Sequence, residues 1–217
     1  MSATGAGAAA VAGPAPDGNG VPDGKKLPQL KMQITAAAAL QPVRLPDGYS
    51  LATLAERDVS EWIAVLNANG QLGAWDAARA ERCFTDPRPV LAEGTFLIMH
   101  GGRAVATTCT VQPTPAETRH ELGWVAVDPA HQGKGLGLQV CAAVLCYARR
   151  RGWPVSILNT DDWRLPAIKT YLKLGFAPEI THHSHPARWQ EIHRLLGTAA
   201  AAAPAPESSP ETQGEQR

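Results

Sequence analysis

Val125-Ala126-Val127-Asp128-Pro129-Ala130-His131-Gln132-Gly133-Lys134-Gly135-Leu136-Gly137 is the stretch that decides how this chain folds. An apolar strand runs into a proline turn, and a glycine-rich loop then opens onto a long amphipathic helix. Glycines at alternate positions let the backbone curl so that several N–H groups point inward. The helix that follows adds its own unpaired N–H groups and the positive end of its dipole. Together these make a seat for a phosphate or diphosphate. A Walker loop would need Lys-Ser or Lys-Thr after its last glycine, but Gly137 is followed by Leu138 and Gln139. The dinucleotide fingerprint G-x-G-x-x-G needs one more residue between the last two glycines than this chain has. A tight strand-to-helix turn with no ligand would also use such glycines.

A second pattern lies downstream. Val155-Ser156-Ile157-Leu158-Asn159-Thr160 reads as a strand, and Ala167-Ile168-x-x-Tyr171-x-x-x-Gly175-Phe176 as the helix after it. With the loop Gln132-Gly133-Lys134-Gly135-Leu136-Gly137, these residues resemble the GNAT N-acetyltransferase superfamily, whose Q/R-x-x-G-x-G/A loop cradles the pyrophosphate of acetyl-CoA. The resemblance covers roughly Tyr49 to Phe176. It implies an α/β fold with a central mixed, mostly antiparallel sheet, splayed between its fourth and fifth strands and flanked by helices. It also implies acetyl-CoA as co-substrate.

The remaining pattern suits one α/β unit of this kind over residues 45–197. Tyr49 to Leu54 reads as a first strand after a Pro-Asp-Gly turn. Asp58 is placed to cap a helix through Asn67, and a second helix runs from Asp76 to Phe84. His100-Gly101-Gly102 joins strands at 95–99 and 103–110 as a hairpin. Glu121 to Val127 is the central strand, and Leu136 to Arg151 the long helix. Thr181 to Pro186 reads as the final strand or its loop, and Ala187 to Leu196 as a closing helix in place of the usual strand ending. Residues 1–30 and 198–217 are Ala-, Gly- and Pro-rich or polar, and are expected to be disordered tails.

Composition narrows the function classes. Twenty basic and twenty acidic residues give zero net charge, which offers no electrostatic preference for nucleic acid or an anionic membrane. The start lacks a signal peptide's basic and bulky apolar regions, and no segment reads as a membrane helix, so a cytoplasmic protein is expected. Cys83, Cys109, Cys141 and Cys146 form no C-x-x-C pair and read as structural thiols. His182, His183 and His185 lack metal-site spacing, and no metal is expected. Trp75, Trp124 and Trp189 read as core, with pocket lining as the alternative. A homodimer is left open.

For the site, the resemblance implies cofactor contacts at Val125, Ala126 and Val127 through the strand backbone, with a bulge nearby aiming one N–H at the thioester oxygen. It implies further contacts at Gln132, Gly133, Lys134, Gly135, Leu136, Gly137 and Leu138, mainly through backbone N–H groups. Arg164 stands where relatives often carry an asparagine that touches the pantetheine arm. Tyr171 matches the family's general acid. An alkylammonium must lose a proton before it attacks. Relatives with a glutamate at the place of Asn159 have a base there, but an amide cannot serve. Glu121, directly or through water, is the first candidate, with Asp161 and Asp162 as alternatives. Asp161 or Asp162 capping the next helix, and a route in which water alone takes the proton, stay open. The implied reaction is acetyl transfer to a primary amine of a small molecule or a protein N-terminus. A non-catalytic acyl-CoA sensor and transfer to oxygen or a thiol are the alternatives.

Overall fold

A computed structural model describes residues 27–35, 38, 40, 42–114 and 118–198. The strands are β1 (Leu30–Thr35), β2 (Tyr49–Thr53), β3 (Val90–His100), β4 (Arg103–Val111), β5 (Arg119–Val127), β6 (Val155–Thr160) and β7 (Ala177–Glu179). They form one sheet in the order β2-β3-β4-β5-β6-β1-β7, antiparallel throughout except where β5 meets β6.

The strand at Tyr49, expected to be first, is second. β1 precedes it and lies between β6 and β7, with Leu30 opposite Thr160 and Lys31 opposite Glu179. Its residues alternate strictly: Leu30, Met32 and Ile34 are buried, while Lys31 and Gln33 are only partly covered. The sheet therefore takes in residues ahead of position 45. The expected tails lie outside the described residues at 1–26 and 199–217. The final strand is Ala177–Glu179, and His182 and His183 sit in the turn beyond it.

The helices are α1 (Val59–Asn69), α2 (Ala77–Thr85), α3 (Leu136–Arg150), α4 (Leu165–Leu174) and α5 (His185–Leu196). Asp58 accepts from the Ser60 N–H at 2.7 Å, so the expected cap of α1 forms, and Asp76, expected to open the second helix, caps it by accepting from the Arg79 N–H at 2.7 Å. Neither Asp161 nor Asp162 caps α4. Its N-cap position is Arg164, with Pro166 in the first turn.

Side chains on β3 divide between two cores, as a period of two requires. Phe96 and Ile98 join Val140, Val144, Ile168 and Trp189 under α3, α4 and α5. Leu97 and Met99 join Trp62, Leu66 and Trp75 under α1 and α2. Among the described residues, this second cluster takes no side chain from β6, β1 or β7. The same face of those strands carries Asn159, Lys31, Gln33 and Glu179 around Ile157 and Ala177, a largely polar floor beside the central strand. Burial pushes the Cys109 and Cys141 thiols well above their ordinary range, which suits packing rather than reactivity. Among the described residues no helix is long and apolar enough to cross a membrane, and no cluster of potential ligands could hold a metal.

Candidate active site

β5 and β6 pair only at Arg119–Val155, His120–Ser156 and Glu121–Ile157, and beyond Glu121 they part. The gap widens towards the C-terminal ends of both strands. Its β5 wall carries an irregularity against β4. Thr107 faces Ala126 and Cys109 faces Gly123, so Trp124 and Val125 share the space opposite Thr108. Trp124 has φ +43°, the one positive value at a non-glycine among the described residues. Such a conformation costs on the order of 1–3 kcal/mol. It is held by edge-on packing of Trp124 on Trp75 (5.3 Å, 84°) and by the Thr108 hydroxyl, which donates to the Gly123 carbonyl at 2.8 Å.

The bulge decides which main-chain groups face the gap. The Asp128 N–H donates to the Val105 carbonyl at 2.8 Å, so in this register Ala126 and Asp128 turn their polar groups to β4, and Val127 turns its own away. Val125 has no partner in β4. Val125 and Val127 thus present backbone to the gap. Ala126 does not, and its side chain is fully buried. The Val127 carbonyl already accepts from the Asn69 amide at 3.2 Å.

At the end of β5 the Asp128 carboxylate takes the Ala130 N–H at 2.9 Å and fixes a single 3-10 turn. Gly133 and Gly135 then adopt φ +76° and +74°. A side chain at either would meet no neighbour within 4 Å, so conformation rather than crowding calls for glycine there. The main-chain bonds of this turn use the N–H groups of His131, Gln132, Leu138 and Gln139. α3 has no side-chain cap, and its first N–H groups remain open beside those of the glycines. Gln132, Gly133, Gly135, Leu136, Gly137 and Leu138 line a groove of about 2090 Å³ that continues along the gap. Lys134 does not. It is exposed, and its Nζ lies 3.4 Å from the Ala130 carbonyl.

The candidate acid and bases lie further along the same groove. Tyr171, on α4, is almost fully buried, and its ring packs edge-on against Phe176. Burial and the neighbouring Cys141 push its pKa well above the usual phenol range, so its hydroxyl is a proton-bearing donor at any ordinary pH. The Glu121 carboxylate accepts from Asn159 Nδ2 at 2.9 Å and lies 3.6 Å from the Arg88 guanidinium. Asp161 is engaged on both oxygens, by Gln29 at 3.1 Å and Arg164 at 3.1 Å. Asp162 pairs with Arg188. Glu121 is the less encumbered carboxylate. Arg164 also donates to the Gln71 carbonyl at 2.8 Å, so its guanidinium joins the α1–α2 connection to the start of α4. Trp75 and Trp189 are buried, and Trp124 both packs and lines the groove. The sequence reading did not single out Asn69, Arg88 or Gln71. No local pattern marks residues that meet the site only through the tertiary fold.

A family model described as Acetyltransferase (GNAT) family matches residues 58–176. A mycothiol acetyltransferase of Thermomonospora curvata is 34% identical over 164 residues, covering 68% of this chain and 51% of that protein. One from Nocardia farcinica is 33% identical, covering 73% and 55%. The chain thus spans about half the length of these curated relatives. Among solved structures, a tandem GNAT protein from the clavulanic acid biosynthesis pathway superposes with TM-score 0.54 at 20% identity, over 71% of this chain and 51% of that one. A protein of Sphaerobacter thermophilus gives 0.54 at 18%, over 70% and 50%. Both likenesses concern the fold.

Proposed function

The chain belongs to the GNAT acetyltransferase family, and from that premise we propose that it moves an acetyl group from acetyl-CoA to a primary amine. The observation that carries this reading is a continuous groove in which open loop amides, the unpaired edge of β5, a neutral tyrosine and a carboxylate follow one another. The name of the curated relatives supports a small-molecule acceptor over a protein N-terminus.

The residues divide the work. The open N–H groups from Gly133 to Gly137 receive the diphosphate. Val125 and Val127 offer main-chain partners to the amides of the pantetheine arm, as an added strand would find. Acetyl-CoA, when bound, supplies the thioester whose carbonyl carbon is attacked and whose sulfur departs. A backbone N–H at the Trp124–Val125 bulge faces the carbonyl oxygen as it gathers charge, a contribution of about 3–4 kcal/mol in comparable sites. Glu121, directly or through water, takes the proton that the ammonium must lose. The amine lone pair then forms the new C–N bond, and the C–S bond breaks. Tyr171 gives its proton to the leaving sulfur, and the proton lost by the amine nitrogen restores the balance through solvent. The products are an amide and a free thiol.

Calorimetry with acetyl-CoA, followed by thiol release over a panel of small amines and peptide N-termini, tests this. Amine-dependent thiol release is the expected result. Tight binding without release for any member would replace the enzyme with an acyl-CoA sensor.

A further inference from the structure

Asn159 stands in the groove beside Glu121. It lies on β6 just beyond the last β5–β6 pair, opposite Lys31 of β1, on the sheet face that α1 and α2 leave uncovered. Its Nδ2 donates to Glu121 Oε1 at 2.9 Å across the opening gap. That bond fixes the orientation of the amide, because Oδ1 placed against a carboxylate would be repelled. Oδ1 therefore faces away from Glu121. Among the described residues no hydrogen bond is made to it, and Asn159 lines the groove.

We propose that Asn159 is the residue that orients the acceptor: Nδ2 holds Glu121 in place while Oδ1 receives one N–H of the incoming amine. This rests on the reading of Glu121 as the proton acceptor. A neutral primary amine has one lone pair and two N–H bonds. With the lone pair on the thioester carbon, one N–H is directed to Glu121 or its water and the other to Oδ1. A secondary amine has a single N–H and leaves one of these acceptors unmet. A groove so arranged selects primary amines, because an acceptor shut off from water by the bound substrate and left without a donor penalises the poorer one. Arg88, 3.6 Å from the other side of Glu121, closes the arrangement from the α2–β3 connection.

The test uses the best primary amine from the panel and its N-methyl derivative, with Asn159→Leu as the principal variant and Asn159→Ser as a smaller one. Both are checked by thermal unfolding. Asn159→Leu is expected to lower kcat/KM for the primary amine about tenfold or more. The N-methyl compound should lose only the part that comes from the broken bond to Glu121, so it falls less and the preference narrows, and KM for acetyl-CoA should stay as it was. Asn159→Gln, which keeps both amide functions on a longer arm, should recover part of the preference. An unchanged preference in the Leu and Ser variants overturns the proposal. Glu121→Gln run in parallel separates the two readings. Unaltered turnover there removes the proton acceptor itself, whereas lost turnover there with an intact preference in Asn159→Leu removes only the role given to Asn159.

Discussion

Gly135→Glu is the sharpest perturbation of the phosphate loop. Gly135 sits at the N-cap of α3 with φ +74°, and a Cβ there would touch nothing within 4 Å. The fold's own cost is therefore conformational, about 1–2 kcal/mol for an L-residue held in the left-handed region. In a unit of this size that lowers Tm by roughly 2–8 °C. The ligand's cost is separate. A carboxylate some 5 Å from a bound diphosphate repels it by about 1–3 kcal/mol at effective dielectric constants of 80 to 20. Displacing one loop N–H removes a charge-assisted bond worth about 1.5–3 kcal/mol. The sum places the loss of acetyl-CoA affinity at about sixtyfold or more, since each 1.4 kcal/mol is about tenfold. Gly101→Glu is the control: its φ is +56°, its Cβ position is equally open, and it lies in the β3–β4 hairpin. Thermal unfolding should show similar losses for both variants, and calorimetry should show weakened binding only for Gly135→Glu. If Gly135→Glu stays folded and binds acetyl-CoA within about threefold of the unaltered protein, the loop does not grip the diphosphate.

Three further outcomes follow from the same geometry. Tyr171→Phe should lower turnover by about a hundredfold or more while calorimetric affinity for acetyl-CoA stays constant; unchanged turnover would remove its role as proton donor. Burial and stacking on Trp153 hold His120 neutral down to about pH 4, so between roughly pH 6.5 and pH 4 the unfolded chain binds a proton that the native one refuses. Stability should be full above pH 6.5 and fall by about 1.4 kcal/mol per pH unit below it. Urea titrations at pH 7, 6 and 5 should show that slope, and His120→Gln should flatten it. Met32→Ala, deleting a fully buried side chain of β1, should cost about 2–5 kcal/mol by urea unfolding, a loss that a loosely attached strand would not show.

Much of the architecture was legible because its signals are local. Asp58 and Asp76 cap the helices they announce, His100-Gly101-Gly102 turns the hairpin, and the glycine loop opens α3 at Leu136. β1 was missed although Leu30, Met32 and Ile34 alternate cleanly, because a six-residue strand beside an Ala- and Pro-rich stretch gains its identity from partners far along the chain. Thr181 to Pro186, open between strand and loop, holds the turn and the start of α5, and the strand just ahead of it is hidden for a related reason. Three residues, Ala177–Glu179, give no period to read. In the site, the loop backbone could be inferred from its glycines. Whether Ala126 or Val127 faces the gap depended on the bulge at Trp124, and a positive φ at tryptophan has no sequence signature. Lys134 is absent from the groove lining, and its ammonium turns back to the Ala130 carbonyl, a contact that the sequence does not announce.

The position of β1 also dictates when the molecule can be finished. Lys31 is made long before its neighbours Asn159 and Glu179. Until these emerge, an apolar ribbon of Leu30, Met32 and Ile34 waits without a partner, and closing so distant a contact is slow. Completing the sheet thus requires β1 to enter between β6 and β7, both made after it, and a nascent chain halted before Glu179 would display an open sheet edge to whatever chaperone or neighbour meets it first.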